Sequence, residues 1–151
     1  MALNFKISSP ATSKPGKPAA GGVRTLLLVD DDHTLLLTLR MFFQRNGWHL
    51  LEADTVEEGL KLWEANEKYI DAVVTDYSFD GTLTGLDLVT AVQLRRRSFP
   101  CVVISGLWTP EKRPRDELNK NLFYRVKPFD PRELLATIEQ AIASMAGLEG
   151  R

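Results

Sequence analysis

Short apolar runs alternate with longer amphipathic stretches from Thr25 onward, and this alternation is what most restricts the fold. The runs occupy 25–29, 48–53, 72–75, 101–104 and 123–126. Most are continuously apolar rather than alternating, the pattern of strands buried on both faces. Between and after them lie stretches of helical periodicity at 34–46, 56–66, 85–97, within 109–120, and at 131–145. Thr55-Val-Glu-Glu58 has the spacing of a capping box, in which two side chains satisfy free backbone N–H groups. Asp130-Pro131 places an acidic cap before a proline, which at the first helical position gives up no hydrogen bond. Repeated β-α units of this length predict an α/β fold: a doubly wound, five-stranded parallel sheet with helices on both faces.

The chain of 151 residues is expected to hold one folded unit, over 23–146. Residues 1–22, ending SSPATSKPGKPAAGG, are too poor in apolar surface to offset the entropy of ordering and are expected to be a flexible tail. A docked arm through LNFKI is the weaker alternative, and 147–151 form a C-terminal tail. A net charge of −1 gives no reason to expect nucleic acid as a partner, and Arg95-Arg96-Arg97 suits a solvated helix end. No apolar stretch reaches membrane-spanning length. The single cysteine, Cys101, lies within an apolar run and fits a buried small hydrophobe in a reducing cytoplasm.

Right-handed crossovers place the functional crevice of such a sheet at the carboxyl ends of its strands. Asp30 and Asp31 follow the first strand, Asp76 the third, Ser105 the fourth and Lys127 the fifth. Clustered carboxylates repel one another unless a cation neutralises them, and a hard divalent cation such as Mg²⁺ suits oxygen donors. Lys127 brings an ammonium suited to Asp76 or to a phosphoryl oxygen, and Ser105 a hydroxyl. An aspartate nucleophile, a metal, an ammonium and a hydroxyl together suit phosphoryl transfer.

The segments VDDD, VVTDY, VVISG and YRVKPF, at successive strand ends, resemble the receiver domain of two-component response regulators over about 24–145. The resemblance implies the strand order 2-1-3-4-5, a phospho-acceptor at Asp76, a direct metal ligand at Asp31, and Asp30 acting largely through water. It also implies a metal-binding backbone carbonyl at Ser78, phosphoryl contacts from Ser105 and Lys127, and a cis bond before Pro128. Ser105 and Tyr124 match a coupled switch in which the aromatic ring turns inward once the hydroxyl moves toward phosphate. Implied partners are a histidine kinase or phosphotransfer protein, and a downstream protein at the face made by 109–120, strand five and the last helix. The chain is then not an enzyme in its own right but a phosphorylated signalling module. With only GLEGR after the last helix, it is expected to act without an attached output domain.

Two segments depart from the family pattern or add to it. The loop DYSFDGTLTG lacks the proline common four residues after the acceptor and is one residue longer than usual. Pro110 and Pro114 predict a short, kinked or late-starting helix in 109–120, where Lys112, Arg113 and Arg115 give a basic surface. The resemblance implies that Ser78 and Leu107 occupy positions that influence the approach of water to an acyl phosphate; Leu107 cannot orient water by hydrogen bonding, so strong self-dephosphorylation is not expected.

Simpler and rival readings compete with this one. A lone DDD run is usually a turn or cap, and Asp32 is expected to cap the first helix. His33 and His49 lack metal-ligand spacing, and Trp48, Trp63 and Trp108 suit packing. Asp30-Asp-Asp32-His-Thr34 also matches the DxDxT signature of haloacid-dehalogenase-type phosphatases, with Asp30 and Asp32 as its acids. Such an enzyme should carry its remaining acidic motif after the lysine, whereas Asp76 precedes Ser105, so chain order favours the receiver. A degenerate receiver, binding partners without phosphorylation, should have lost an acid or the lysine; all are present.

Overall fold

The computed structural model describes residues 22–106 and 121–149. Nine elements follow in order: β1 (Arg24–Val29), α1 (His33–Arg45), β2 (Trp48–Ala53), α2 (Val56–Asn66), β3 (Ala72–Asp76), α3 (Gly85–Arg95), β4 (Cys101–Ser105), β5 (Leu122–Val126) and α4 (Pro131–Glu149). The strands form one parallel sheet in the order β2-β1-β3-β4-β5. The sheet matches the expected fold class. Observed strands differ from expectation only at their ends: β3 and β4 each take in one more residue, so Asp76 and Ser105 are the last strand residues. The final helix runs past Met145 to Glu149. The expected helix in 109–120, with its proline kink, and the Leu107 position lie outside the described residues, as does Trp108.

Continuous apolar strands do bury both faces. In β1, Leu26 and Leu28 enter one core with Leu36, Leu39 and Phe43 of α1 and Leu134 and Ile138 of α4. Their neighbours Leu27 and Val29 enter the other, with Trp63 of α2 and Leu88, Val89 and Val92 of α3. Helices α1 and α4 therefore cover one face, and α2 and α3 the other. Cys101 is fully buried, and burial pushes its thiol far above the ordinary range.

Caps fix where the helices begin, and therefore where the loops at the carboxyl rim end. The Asp32 carboxylate accepts from the backbone N–H groups of Thr34 and Leu35, so it does cap α1. Thr55 accepts from Glu58 N at 3.1 Å, the first half of the expected box. The complete reciprocal box forms instead at α3, between Thr84 and Asp87. Asp130 accepts from Arg132 N at 2.8 Å at the start of α4. The neighbouring Arg132 guanidinium holds the Asp130 carboxyl down at about 2.

Candidate active site at the carboxyl rim

Parallel strands end together, so side chains distant in sequence meet at one rim. Asp30 follows the last residue of β1, and its N–H donates to Ala53 O of β2 at 3.0 Å. Asp76 ends β3, opposite Ile104 of β4. Ser105 ends β4 opposite Val126, and its carbonyl accepts from Lys127 N at 2.9 Å. The peptide bond from Lys127 to Pro128 is cis, as the resemblance implied.

Asp30, Asp31 and Asp76 each bring a carboxylate oxygen within 4.8 Å of the other two. Asp30 and Asp76 are buried and Asp31 is exposed, leaving the cluster open on one side. The Lys127 ammonium lies 3.3 Å from Asp30 Oδ2 and 3.6 Å from Asp76 Oδ2. It stands slightly closer to Asp30 than to Asp76, the partner sequence reasoning favoured. At Asp30 it makes an ion contact rather than an aligned hydrogen bond, and buried Oδ2 has no hydrogen-bond partner among the described residues.

Charge and burial set the acidities. Burial, followed by the charge of Asp30, pushes the Asp76 carboxyl up to about 6, against the opposing pull of Lys127 and the Tyr77 N–H. Burial also raises Asp30, offset in part by the Asp32 N–H and then by Lys127. One ammonium is thus not enough to keep both acids in the usual carboxylate range.

The donor set fits Mg²⁺. Three ionised carboxylates against one ammonium leave two negative charges, and every donor in the cluster is a hard oxygen. The buried Asp30 Oδ2, which no described residue supplies with a hydrogen bond, lies 3.3 Å from the Lys127 ammonium and adds a further hard oxygen acceptor. Ser78, two residues beyond Asp76, is exposed beside it. Tyr124 lies on β5, half-buried against the α2–α3 core.

Sequence reasoning missed three features of the rim. His33 Nε2 pairs with Asp54 Oδ2 at 3.1 Å, joining the start of α1 to the end of β2. Its sequence signal is weak, because the two residues are brought together only by strand pairing. The Thr84–Asp87 box was present in the text as T-x-x-D before an apolar run. Gly85 meets the end of β3 so closely that a Cβ there would collide with the carbonyl oxygen of Asp76.

The chain is similar to known proteins in sequence and in fold. The cell cycle transcriptional regulator CtrA of Caulobacter vibrioides is 21% identical over 81% of this chain and 52% of its own length. The chain spans about half the length of such curated relatives. Among solved structures, a response regulator receiver domain protein from Clostridium thermocellum superposes with a TM-score of 0.71 at 23% identity, covering 83% of this chain and 98% of that one. The CheX–CheY–BeF3–Mg complex of Borrelia burgdorferi gives 0.68 at 22% identity, over 78% and 87%. These likenesses carry the fold. The family model described as the response regulator receiver domain matches residues 26–139, most of the chain, and with the rim geometry it makes this protein a member of the response regulator receiver domain family.

Proposed function

We propose that Asp76 accepts a phosphoryl group from a histidine kinase or phosphotransfer protein, and that the domain signals through a surface whose conformation depends on that modification. The observation that carries the reading is the meeting of Asp30, Asp31 and Asp76 within 4.8 Å, with Lys127 3.6 Å from Asp76. An oxygen of Asp76 attacks phosphorus, the bond from phosphorus to the donor nitrogen breaks, and an acyl phosphate forms. Tyr77 N–H holds Asp76 Oδ1 at 2.9 Å, which leaves Oδ2 on the Lys127 side as the nucleophile. Lys127 then neutralises charge on the transferred group, and Ser105 at the adjacent strand end is the hydroxyl donor to it.

Asp30, Asp31, Asp76 and the Ser78 carbonyl would hold Mg²⁺, which when bound supplies charge neutralisation across the phosphoryl oxygens. A fold relative, the CheX–CheY complex, contains both BeF3 and Mg. Movement of Ser105 toward the phosphoryl group favours an inward Tyr124, a shift between two packings that reports on β5 and α4. The reading includes protein partners rather than nucleic acid, a cytoplasmic setting, and a folded unit over 23–146. No described helix is long and apolar enough to cross a membrane.

Intact-mass measurement with Mg²⁺ and a small phosphodonor tests the reading. One phosphoryl adduct is expected on the wild-type chain and none on Asp76→Asn. No adduct with any donor would leave a binding module. Sustained phosphate-ester turnover, abolished by Asp30→Asn and kept by Asp76→Asn, would make the protein a phosphatase.

A further inference from the structure

We infer that Thr75, the residue before the acceptor, is a positioning residue: its buried hydroxyl fixes the peptide that orients the Asp76 carboxylate. The inference rests on Asp76 being the phospho-acceptor. Thr75 is fully buried, and its Oγ1 donates to the carbonyl oxygen of Asp76 at 2.9 Å. A threonine hydroxyl within a buried strand has to be desolvated, and valine would fill the same volume at no such cost. Its presence calls for an account, and the hydrogen bond's location supplies one.

Pairing between β1 and β3 ends at Val29 opposite Thr75, one residue short of Asp76. The acceptor therefore lies just beyond the part of β3 that β1 holds in register. Thr75 Oγ1 gives its carbonyl a donor at that point. On the other side of the same peptide bond, Tyr77 N–H donates to Ile104 O at 2.8 Å and to Asp76 Oδ1 at 2.9 Å. The next carbonyl, Tyr77 O, accepts from Gly85 N at 2.9 Å. The Asp76–Tyr77 peptide plane is thus held at both its oxygen and its nitrogen, and its nitrogen holds the reactive carboxylate.

The chain of cause runs from Thr75 through that plane. Without the hydroxyl, the buried carbonyl loses its donor and the plane gains freedom to rotate. Rotation carries the Tyr77 N–H off Asp76 Oδ1, and the carboxylate turns with it. Oδ2 then leaves the orientation that faces Lys127. Transfer to a positioned oxygen depends steeply on such alignment, and errors near 1 Å cost about a hundredfold in rate. A smaller loss follows here, because Ile104 O still holds the shared N–H.

Thr75→Val and Thr75→Ser separate this role from simple packing. With saturating Mg²⁺ and a small phosphodonor, Thr75→Val is expected to lower the saturating phosphorylation rate about tenfold with an unchanged half-saturating donor concentration. Thr75→Ser, which keeps the hydroxyl and drops the methyl group, is expected to recover most of that rate. The Tyr77 amide proton resonance should move in Thr75→Val and return in Thr75→Ser, a readout that needs no phosphoryl transfer. A wild-type rate in Thr75→Val, or a Tyr77 amide that does not move, overturns the inference while leaving Asp76 as acceptor. Equal slowing in both variants assigns the effect to the methyl group and overturns it too. Absence of any adduct on the wild-type protein removes the acceptor reading and this inference with it.

Discussion

Asp76 carries opposing demands in one side chain. The proposed attack on phosphorus needs it ionised, yet burial and Asp30 push its carboxyl up to about 6 from an ordinary 3.8. An acid whose folded pKa is raised binds more protons folded than unfolded between those two values. Its contribution to stability is therefore full below 3.8 and lost as pH rises through about 6. In metal-free protein the difference in stability between wild type and Asp76→Asn should change by on the order of 3 kcal/mol across that window, with the asparagine chain the more stable at neutral pH. Chelator-treated samples melted at a series of pH values would show it, and Mg²⁺ should shrink the difference. Asp32, two residues from the buried Asp30, has a different task. It caps α1, so Asp32→Ala should cost about 1 kcal/mol in denaturant unfolding. Because the cap is not part of the proposed chemistry, Asp76 phosphorylation should persist in that variant. Loss of phosphorylation with unchanged stability would instead revive the DxDxT reading.

Among the elements, α3 is the one that packs directly against the Asp76 backbone. Its first residue, Gly85, donates to Tyr77 O and leaves no room for a Cβ beside the Asp76 carbonyl. Gly85→Ala should destabilise the domain by about 1–3 kcal/mol, the usual cost of overpacking, and slow phosphorylation in the folded fraction. Unfolding curves and phosphorylation rates on the same samples check both parts. The strands and their order of occurrence were legible in the sequence because the central strands are buried on both faces, which makes most of them near-unbroken apolar words such as LLLV or CVVI, while β2 (WHLLEA) and β5 (LFYRV) carry polar residues. The acids and the lysine were legible because strand ends mark the rim. Gly85 was not, since its significance depends on a distance between two chain segments rather than on a pattern along one. The same holds for the His33–Asp54 pair. Thr75 was hidden differently: within VVTDY it fits strand propensity, so nothing in the text separates a packing threonine from a donating one.

At the scale of the molecule, the two cores share one sheet but touch different faces of it. Leu39 and Val89 sit in opposite cores, each fully buried. Leu39→Ala should cost about 2–5 kcal/mol, and its effect should add to that of Val89→Ala within about 0.5 kcal/mol. Urea unfolding of the two single variants and the double variant measures this; a larger coupling would show that the sheet transmits packing changes from face to face.

Because all five strands point the same way, the turns fall into two populations. Residues 30–32, 54–55, 77–84 and 127–130 lie at the rim where the strands end, and the connections at 46–47, 67–71 and 96–100 lie at the other. Gly47, exposed and with a φ of +84°, marks the tightest of that second group. The arrangement separates where the protein can be edited from where it cannot. A flexible insert of about ten residues between Asn46 and Gly47 adds only a modest loop entropy and reaches no group of the acidic cluster. The same insert within 77–84 lengthens the tether between Asp76 and the helix that packs against it. A fluorescent or affinity module grafted at the far turn should thus report on a working domain, whereas at the near turn it should silence one.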